Sequence, residues 1–118
     1  MLPLIAVKGR AANPRERILT ATADLLVREG RAGVSTRAVS SLARVQPPTI
    51  YRQFADMEGL LDEVASLGFT RYLERKIALP PQDDPVEALR QGWDMNVQFA
   101  LDNPAIYGLM HAEARRRA

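Results

Sequence analysis

The side chains best suited to chemistry in this 118-residue sequence stand at positions 46–53, which read QPPTIYRQ. Gln and Arg side chains can form paired hydrogen bonds with the edges of adenine and guanine, and Thr and Pro can contact the thymine methyl group. The Tyr51 hydroxyl can donate to a phosphate oxygen. This combination of residue types indicates contacts with a nucleic-acid duplex rather than a covalent reaction.

Basic residues are concentrated in the same half of the chain. Residues 1–54 contain nine Lys and Arg and three Asp and Glu, a net charge of +6, whereas residues 55–118 carry a net charge of −4. A basic region of this density is typical of proteins that bind polyanions, and an excess of this size is also common on solvated helical surfaces. The charge distribution therefore supports a nucleic-acid partner without requiring one.

The residues on which most catalytic and metal sites depend are missing from the sequence. It contains no Cys and a single His, His111, so it can form neither a disulfide nor a metal cluster of thiolates or imidazoles. It also lacks a glycine-rich phosphate loop. We therefore expect no enzyme, no metal site and no cofactor.

No segment of the sequence looks like a targeting or membrane element. The apolar start MLPLIAV is followed rather than preceded by positive charge and has no small-residue cleavage site, so we expect no signal peptide. No apolar run reaches the roughly 18 residues of a membrane span. The sequence predicts a soluble cytoplasmic protein.

Signals for the start of a helix recur along the chain. An Asn or Asp precedes a Pro at Asn13, Asp84 and Asn103, and this pair is favoured at the N-cap and first helical positions. With apolar residues at helical spacing, these and similar signals predict helices at about 14–29, 35–44, 47–54, 56–77, 85–101 and from 104 onwards. No alternation typical of a strand remains, so we predict an all-α fold.

The two short helices at about 35–44 and 47–54 match a helix-turn-helix, in which the second helix exposes its N-terminal turn. Ile50 and Phe54 are four residues apart and can pack inward against Val39, Leu42 and the first helix. The other face then presents Gln46, Pro48, Thr49, Arg52 and Gln53. The alternative is a three-helix bundle whose polar face is simply solvated. The paired prolines favour the helix-turn-helix because they preorganise a short helix.

The segment from Arg15 to Val64 resembles the N-terminal DNA-binding domain of the TetR family of transcriptional regulators. The resemblance rests on RERILTATADLLVREG, STRAVSSLARVQPPTIYRQF and LLDEV, and it covers about residues 13–66. It implies a three-helix DNA-binding bundle with a helix-turn-helix, then a long linking helix and the first helices of a truncated C-terminal helical domain. The implied domains are a flexible basic arm at 1–12, the DNA-binding domain at 13–66, and a linking helix with a partial ligand-binding and dimerisation domain at 67–118.

The resemblance also implies which residues contact DNA. In the family the third helix enters the major groove, and the N-terminus of the second helix contacts phosphates. Together with the outward face of the third helix, this predicts DNA contacts from Ser35, Thr36, Arg37, Arg44, Gln46, Pro47, Pro48, Thr49, Tyr51, Arg52 and Gln53.

Two places in the sequence depart from the family pattern. Arg44 stands where the family often has the glycine of the turn, so it must adopt that geometry or use it to reach a phosphate. The fourth helix begins with Asp56, Met57 and Glu58, where a Lys is frequent. Phosphate binding at this helix would therefore rest mainly on backbone N–H groups.

The chain has about half the usual family length, and we expect it to stop within the sixth helix. Trp93, Phe99 and Tyr107 are candidates for a small-molecule pocket, with core packing as the alternative. Any association of the chain is expected to use an apolar face of the fifth and sixth helices, formed by Trp93, Val97, Leu101, Ile106 and Met110.

The sequence therefore predicts a sequence-specific DNA-binding transcriptional regulator, expected to be a ligand-responsive repressor. The expected partners are double-stranded operator DNA, a small-molecule effector if the full-length C-terminal domain exists, and a second copy in a full-length homodimer. No membrane partner is expected. The alternative is a helical protein-interaction module with a basic face and no sequence-specific DNA binding. Salt-sensitive, sequence-dependent duplex binding distinguishes the two.

Overall fold

The computed structural model describes residues 13–117, so the predicted arm at residues 1–12 lies outside the described residues. Residues 13–117 form six α-helices and no strand: α1 (Pro14–Glu29), α2 (Thr36–Ala43), α3 (Pro47–Phe54), α4 (Met57–Ile77), α5 (Pro85–Asp102) and α6 (Pro104–Arg117). A 3-10 helix (Arg31–Gly33) follows α1. The predicted all-α fold is confirmed, and the helix boundaries agree with those that the sequence predicts.

Side-chain caps explain where four of the helices begin. In each case the side chain of the N-cap residue accepts a hydrogen bond from a backbone N–H of the first helical turn, at 2.7–3.1 Å. The four N-cap residues are Asn13, Ser35, Asp56 and Asp84. Each bond satisfies one of the donors that a helix start leaves without an intrahelical partner.

The hydrophobic core lies between the first four helices and extends to α6. Its most enclosed apolar side chains are Ile18, Leu26, Val39, Ile50, Leu60, Val64 and Ile106. α6 contacts both α1 and α4, and α5 contacts α4 and α6. The helix-turn-helix is therefore held against α1 and α4, and α6 completes the same core.

Two sequence-based expectations about packing are wrong. Leu42 is 42% exposed instead of being buried with Ile50, because α2 turns Val39 and Ala43 toward the core and leaves Leu42 on its flank. Ile106 is 1% exposed, because α6 packs on α1 and α4. Ile106 therefore belongs to the core and not to an uncovered face.

None of the helices within residues 13–117 is long and apolar enough to cross a membrane. The same residues contain no group of acidic or imidazole side chains arranged to hold a metal ion.

Candidate nucleic-acid interface

The turn between α2 and α3 spans residues 44–46 and fixes the direction of α3. Arg44 lies in the left-handed region of the backbone map, with φ 59° and ψ 49°. The backbone N–H groups of Arg44 and Val45 both donate to the carbonyl of Ser40, which closes the turn. Gln46 then has extended backbone angles, as expected for a residue before proline, and α3 begins at Pro47.

Helix α3 has one buried face and one exposed face. Ile50 and Phe54 are buried in the core. Thr49 is half-buried, and the remaining predicted contact residues at this helix are exposed: Gln46, Pro47, Pro48, Tyr51, Arg52 and Gln53. The sequence-based assignment of the inner and outer faces of α3 is therefore correct.

A pair of hydroxyl groups brings the start of α2 to the exposed side of α3. Thr36 Oγ1 and the Tyr51 hydroxyl are hydrogen-bonded at 2.7 Å. One hydroxyl proton is used in this bond, so the second remains to donate to an external acceptor such as a phosphate oxygen. Ser35 Oγ caps α2 by accepting from the Ala38 N–H. The residues of α2 that are predicted to contact phosphates therefore lie next to the exposed side of α3.

Three basic residues point outward on the helix-turn-helix. Arg37, Arg44 and Arg52 are exposed, and none of them forms an ion pair with a carboxylate of the described chain. The Arg52 guanidinium donates to Thr49 Oγ1 at 3.2 Å, which holds the two side chains together on the same face of α3. This surface can receive a negatively charged partner.

Other basic residues within positions 1–54 contact groups of the protein itself. Arg15 forms an ion pair with Glu63 at 3.0 Å, and Arg17 Nε donates to the Ala43 carbonyl at 3.1 Å. Arg28 and Arg31 likewise contact neighbours, through Asp24 and the carbonyl of Val34 respectively. The basic excess of residues 1–54 is therefore only partly available to a polyanion, which counting charges in the sequence could not show.

The candidate pocket residues fall in two places. Phe99 is 4% exposed, and its ring lies 5.0 Å from that of Tyr72 and 6.1 Å from that of Tyr107. The hydroxyls of Tyr72 and Tyr107 both donate to Asn96 Oδ1, at 3.2 and 3.4 Å. The structure thus brings Phe99 and Tyr107 together around a polar centre that the sequence analysis missed, since a single Asn within a helix gives no recognisable signal.

Trp93 does not join this group. Its side chain is 65% exposed and lines an open cleft of about 400 Å³ between α4 and α5, together with Tyr72, Lys76, Leu89 and Asn96. Tyr72 and Asn96 face both the cleft and the Phe99 cluster, so the two places are adjacent.

Comparisons with known proteins agree with this geometry. Residues 18–64, from within α1 to within α4, match the model of a family described as bacterial regulatory proteins, tetR family. The chain is also 27% identical over 93 residues to YobS of Bacillus subtilis (strain 168), described as an uncharacterized HTH-type transcriptional regulator. That alignment covers 79% of the chain and 49% of YobS, so the chain spans about half the length of this relative. No solved structure matches the chain significantly.

The matched residues contain the complete helix-turn-helix described above, including Arg44 in its turn and the exposed face of α3. The family consists of regulatory proteins, which confirms the prediction that the chain is not an enzyme. Residues 18–64 therefore match the tetR family of bacterial regulatory proteins, and most of the chain is similar to an HTH-type transcriptional regulator.

Proposed function

We propose that the chain is a sequence-specific DNA-binding transcriptional regulator. The observation that carries this proposal is the exposed face of α3, formed by Gln46 at the N-cap and by Arg52 and Gln53, on a helix that Ile50 and Phe54 anchor in the core. A short, rigidly held helix with exposed Gln and Arg side chains can enter the major groove and hydrogen-bond with base edges.

The groups around α3 supply contacts that do not depend on base sequence. Arg37 and Arg44 are exposed cations at the two ends of α2, and the hydrogen-bonded pair of Thr36 and Tyr51 offers a hydroxyl donor. Such contacts to phosphate oxygens fix the orientation of a protein on the duplex. We assign base reading to α3 and backbone contacts to residues 35–37, 44 and 51.

We further propose that regulation takes the form of ligand-responsive repression. A protein bound across an operator blocks other proteins from the same stretch of duplex. The cleft beside Trp93, Tyr72 and Asn96 offers aromatic walls and an amide of the kind that small-molecule sites use.

The DNA-binding domain would then be residues 13–66, preceded by the basic arm at 1–12 and followed by a regulatory part from residue 67. The full-length protein would act as a homodimer in the cytoplasm.

Selection from a library of random duplexes tests the DNA-binding proposal. We expect the 118-residue chain to enrich a preferred sequence and to bind it more tightly than a random duplex, with affinity that falls steeply as salt rises. Arg90→Ala, which removes an exposed cation of α5 that pairs with Glu87, is the matched control and should bind like the unmodified chain. Enrichment of no sequence, or binding to acidic proteins without a duplex preference, would favour a protein-interaction module instead.

A further inference from the structure

The connection between α3 and α4 is a strained turn. Ala55 has φ 66° and ψ −55°, and the Asp56 N–H donates to the Phe54 carbonyl at 2.7 Å. A hydrogen bond between residues two apart around a central residue of positive φ defines the rare form of the γ-turn. For a residue with a Cβ this conformation is costly, and it persists only where the surrounding structure holds it in place.

Close packing of α4 against the end of α3 contributes to holding this turn. A Cβ atom on Gly59 would lie 2.2 Å from the Phe54 carbonyl oxygen, so only glycine allows the first turn of α4 to approach this closely. The Gly59 N–H donates to the Asp56 side chain at 2.7 Å. The γ-turn is thus fixed from the side of α4.

Arg15 of α1 holds the same turn from the other side through three contacts. Its Nη1 donates to the Gln53 carbonyl at 2.9 Å, its guanidinium lies 4.5 Å from the centre of the Phe54 ring, and its Nη2 pairs with Glu63 of α4 at 3.0 Å. A planar guanidinium can donate in two directions and stack on a ring at once, which a lysine amine cannot. One side chain therefore joins α1, α3 and α4 around Ala55.

We infer that Arg15 is a positioning residue for DNA recognition: it holds the strained turn at Ala55 and so sets the direction of α3 relative to α1 and α4. Its guanidinium is directed at protein groups, so its effect on base reading is transmitted through α3 rather than through a phosphate contact. This inference rests on the proposed function, because it assigns to Arg15 the alignment of the proposed base-reading helix.

Arg15→Ala and Arg15→Lys in the 118-residue chain distinguish positioning from phosphate binding. The probes are a duplex selected by the unmodified chain and a random duplex, measured at a temperature at which circular dichroism shows every variant folded. We expect both variants to bind the selected duplex roughly tenfold more weakly, to bind the random duplex almost unchanged, and to keep the salt dependence of the unmodified chain. Arg28→Ala is the matched control, since Arg28 pairs with Asp24 on the outside of the same helix, and it should change neither affinity.

A phosphate contact by Arg15 would give a different pattern. Arg15→Ala would then weaken both duplexes alike and reduce the slope of log affinity against log salt by about 0.9, and Arg15→Lys would restore binding. That result, or no effect of Arg15→Ala, would overturn the inference.

Ala55→Gly tests whether the turn is what Arg15 holds. Glycine adopts a positive φ without strain, so adding Ala55→Gly to Arg15→Ala should recover part of the affinity for the selected duplex. Absence of any recovery would contradict the role of the turn.

Amide hydrogen exchange at Asp56 provides a readout that does not involve DNA. Arg15→Ala should accelerate exchange of this amide relative to Arg28→Ala, because the γ-turn hydrogen bond opens more often. If the unmodified chain prefers no duplex, the proposed function fails. The exchange rate at Asp56 still decides whether Arg15 holds the turn, and an unchanged rate would overturn that part of the inference.

Discussion

The Tyr51 hydroxyl is bonded to Thr36 Oγ1 at 2.7 Å in the free chain, and we propose that it contacts a phosphate and not a base edge. We expect Tyr51→Phe to weaken binding to selected and random duplexes equally, by about 0.5–1.5 kcal/mol. Fluorescence anisotropy titrations with both duplexes measure this. Tyr72→Phe, which removes a hydroxyl bonded to Asn96, serves as the control. A loss confined to the selected duplex would assign Tyr51 to base reading instead.

Arg44 combines a strained backbone with an exposed charge, so two substitutions separate the two properties. The left-handed conformation at φ 59° costs a residue with a Cβ roughly 1–2 kcal/mol, and glycine avoids this cost. We expect Arg44→Gly to raise the free energy of unfolding by up to about 1 kcal/mol while weakening duplex binding. Arg44→Ala should weaken duplex binding to a similar extent without raising the free energy of unfolding. Urea denaturation measures the free energy of unfolding of both variants. A lower value for Arg44→Gly than for Arg44→Ala would contradict the left-handed conformation at this turn.

At the scale of the helices, we expect base reading by α3 to depend on the rotation of this helix about its own axis, which sets the face that is exposed. Ile50 is fully buried, so Ile50→Ala should lower the free energy of unfolding by about 2–5 kcal/mol. Thr49 is half-buried at the edge of the exposed face, and Thr49→Ala should cost less than about 1 kcal/mol. Urea unfolding of both variants measures the difference. The reverse order would mean that α3 is rotated from its described position.

Local signals made the helices predictable from the sequence. Asn13, Ser35, Asp56 and Asp84 cap their helices through side-chain bonds, and such bonds depend on neighbouring residues alone. The split of α3 into a buried and an exposed face followed in the same way from the four-residue spacing of its apolar side chains.

Features that depend on distant residues were not predictable in this way. The γ-turn at Ala55 is held by Arg15 and Gly59, and alanine has no sequence preference for a positive φ. The inward contacts of Arg15 and Arg17 depend on where α3 and α2 end in space. The exposure of Leu42 likewise followed from the docking of α2 on its neighbours, because a helix of eight residues can place either Val39 or Leu42 centrally.

For the molecule as a whole, we expect self-association to use the exposed apolar side of α5. Leu89, Trp93, Val97 and Leu101 recur every four residues and are all exposed. One helix face covers much less than the roughly 800 Å² per partner of a stable interface. We therefore expect the 118-residue chain to associate weakly, with a sedimentation coefficient that rises with concentration in the micromolar range.

One substitution on the exposed apolar side of α5 and one outside it test whether this side mediates the association. Trp93→Ser should reduce the association, whereas Phe69→Ser, at an exposed position of α4, should leave it unchanged. A tight dimer whose sedimentation does not depend on concentration would show that residues 85–117 suffice for stable pairing.

Arg52 offers the most direct test of α3 as the base-reading helix. Guanine N7 lies in the major groove and is one of the two guanine acceptors, with O6, that an arginine contacts. On a duplex selected by the unmodified chain, we expect the saturated complex to protect at least one guanine N7 from methylation. Arg52→Ala should lose that protection and about 1–3 kcal/mol of affinity for this duplex, whereas Arg37→Ala should keep the protection and weaken all duplexes alike. Unchanged protection of the same guanine by Arg52→Ala, or no major-groove protection by the unmodified chain, would contradict the placement of α3 in the groove.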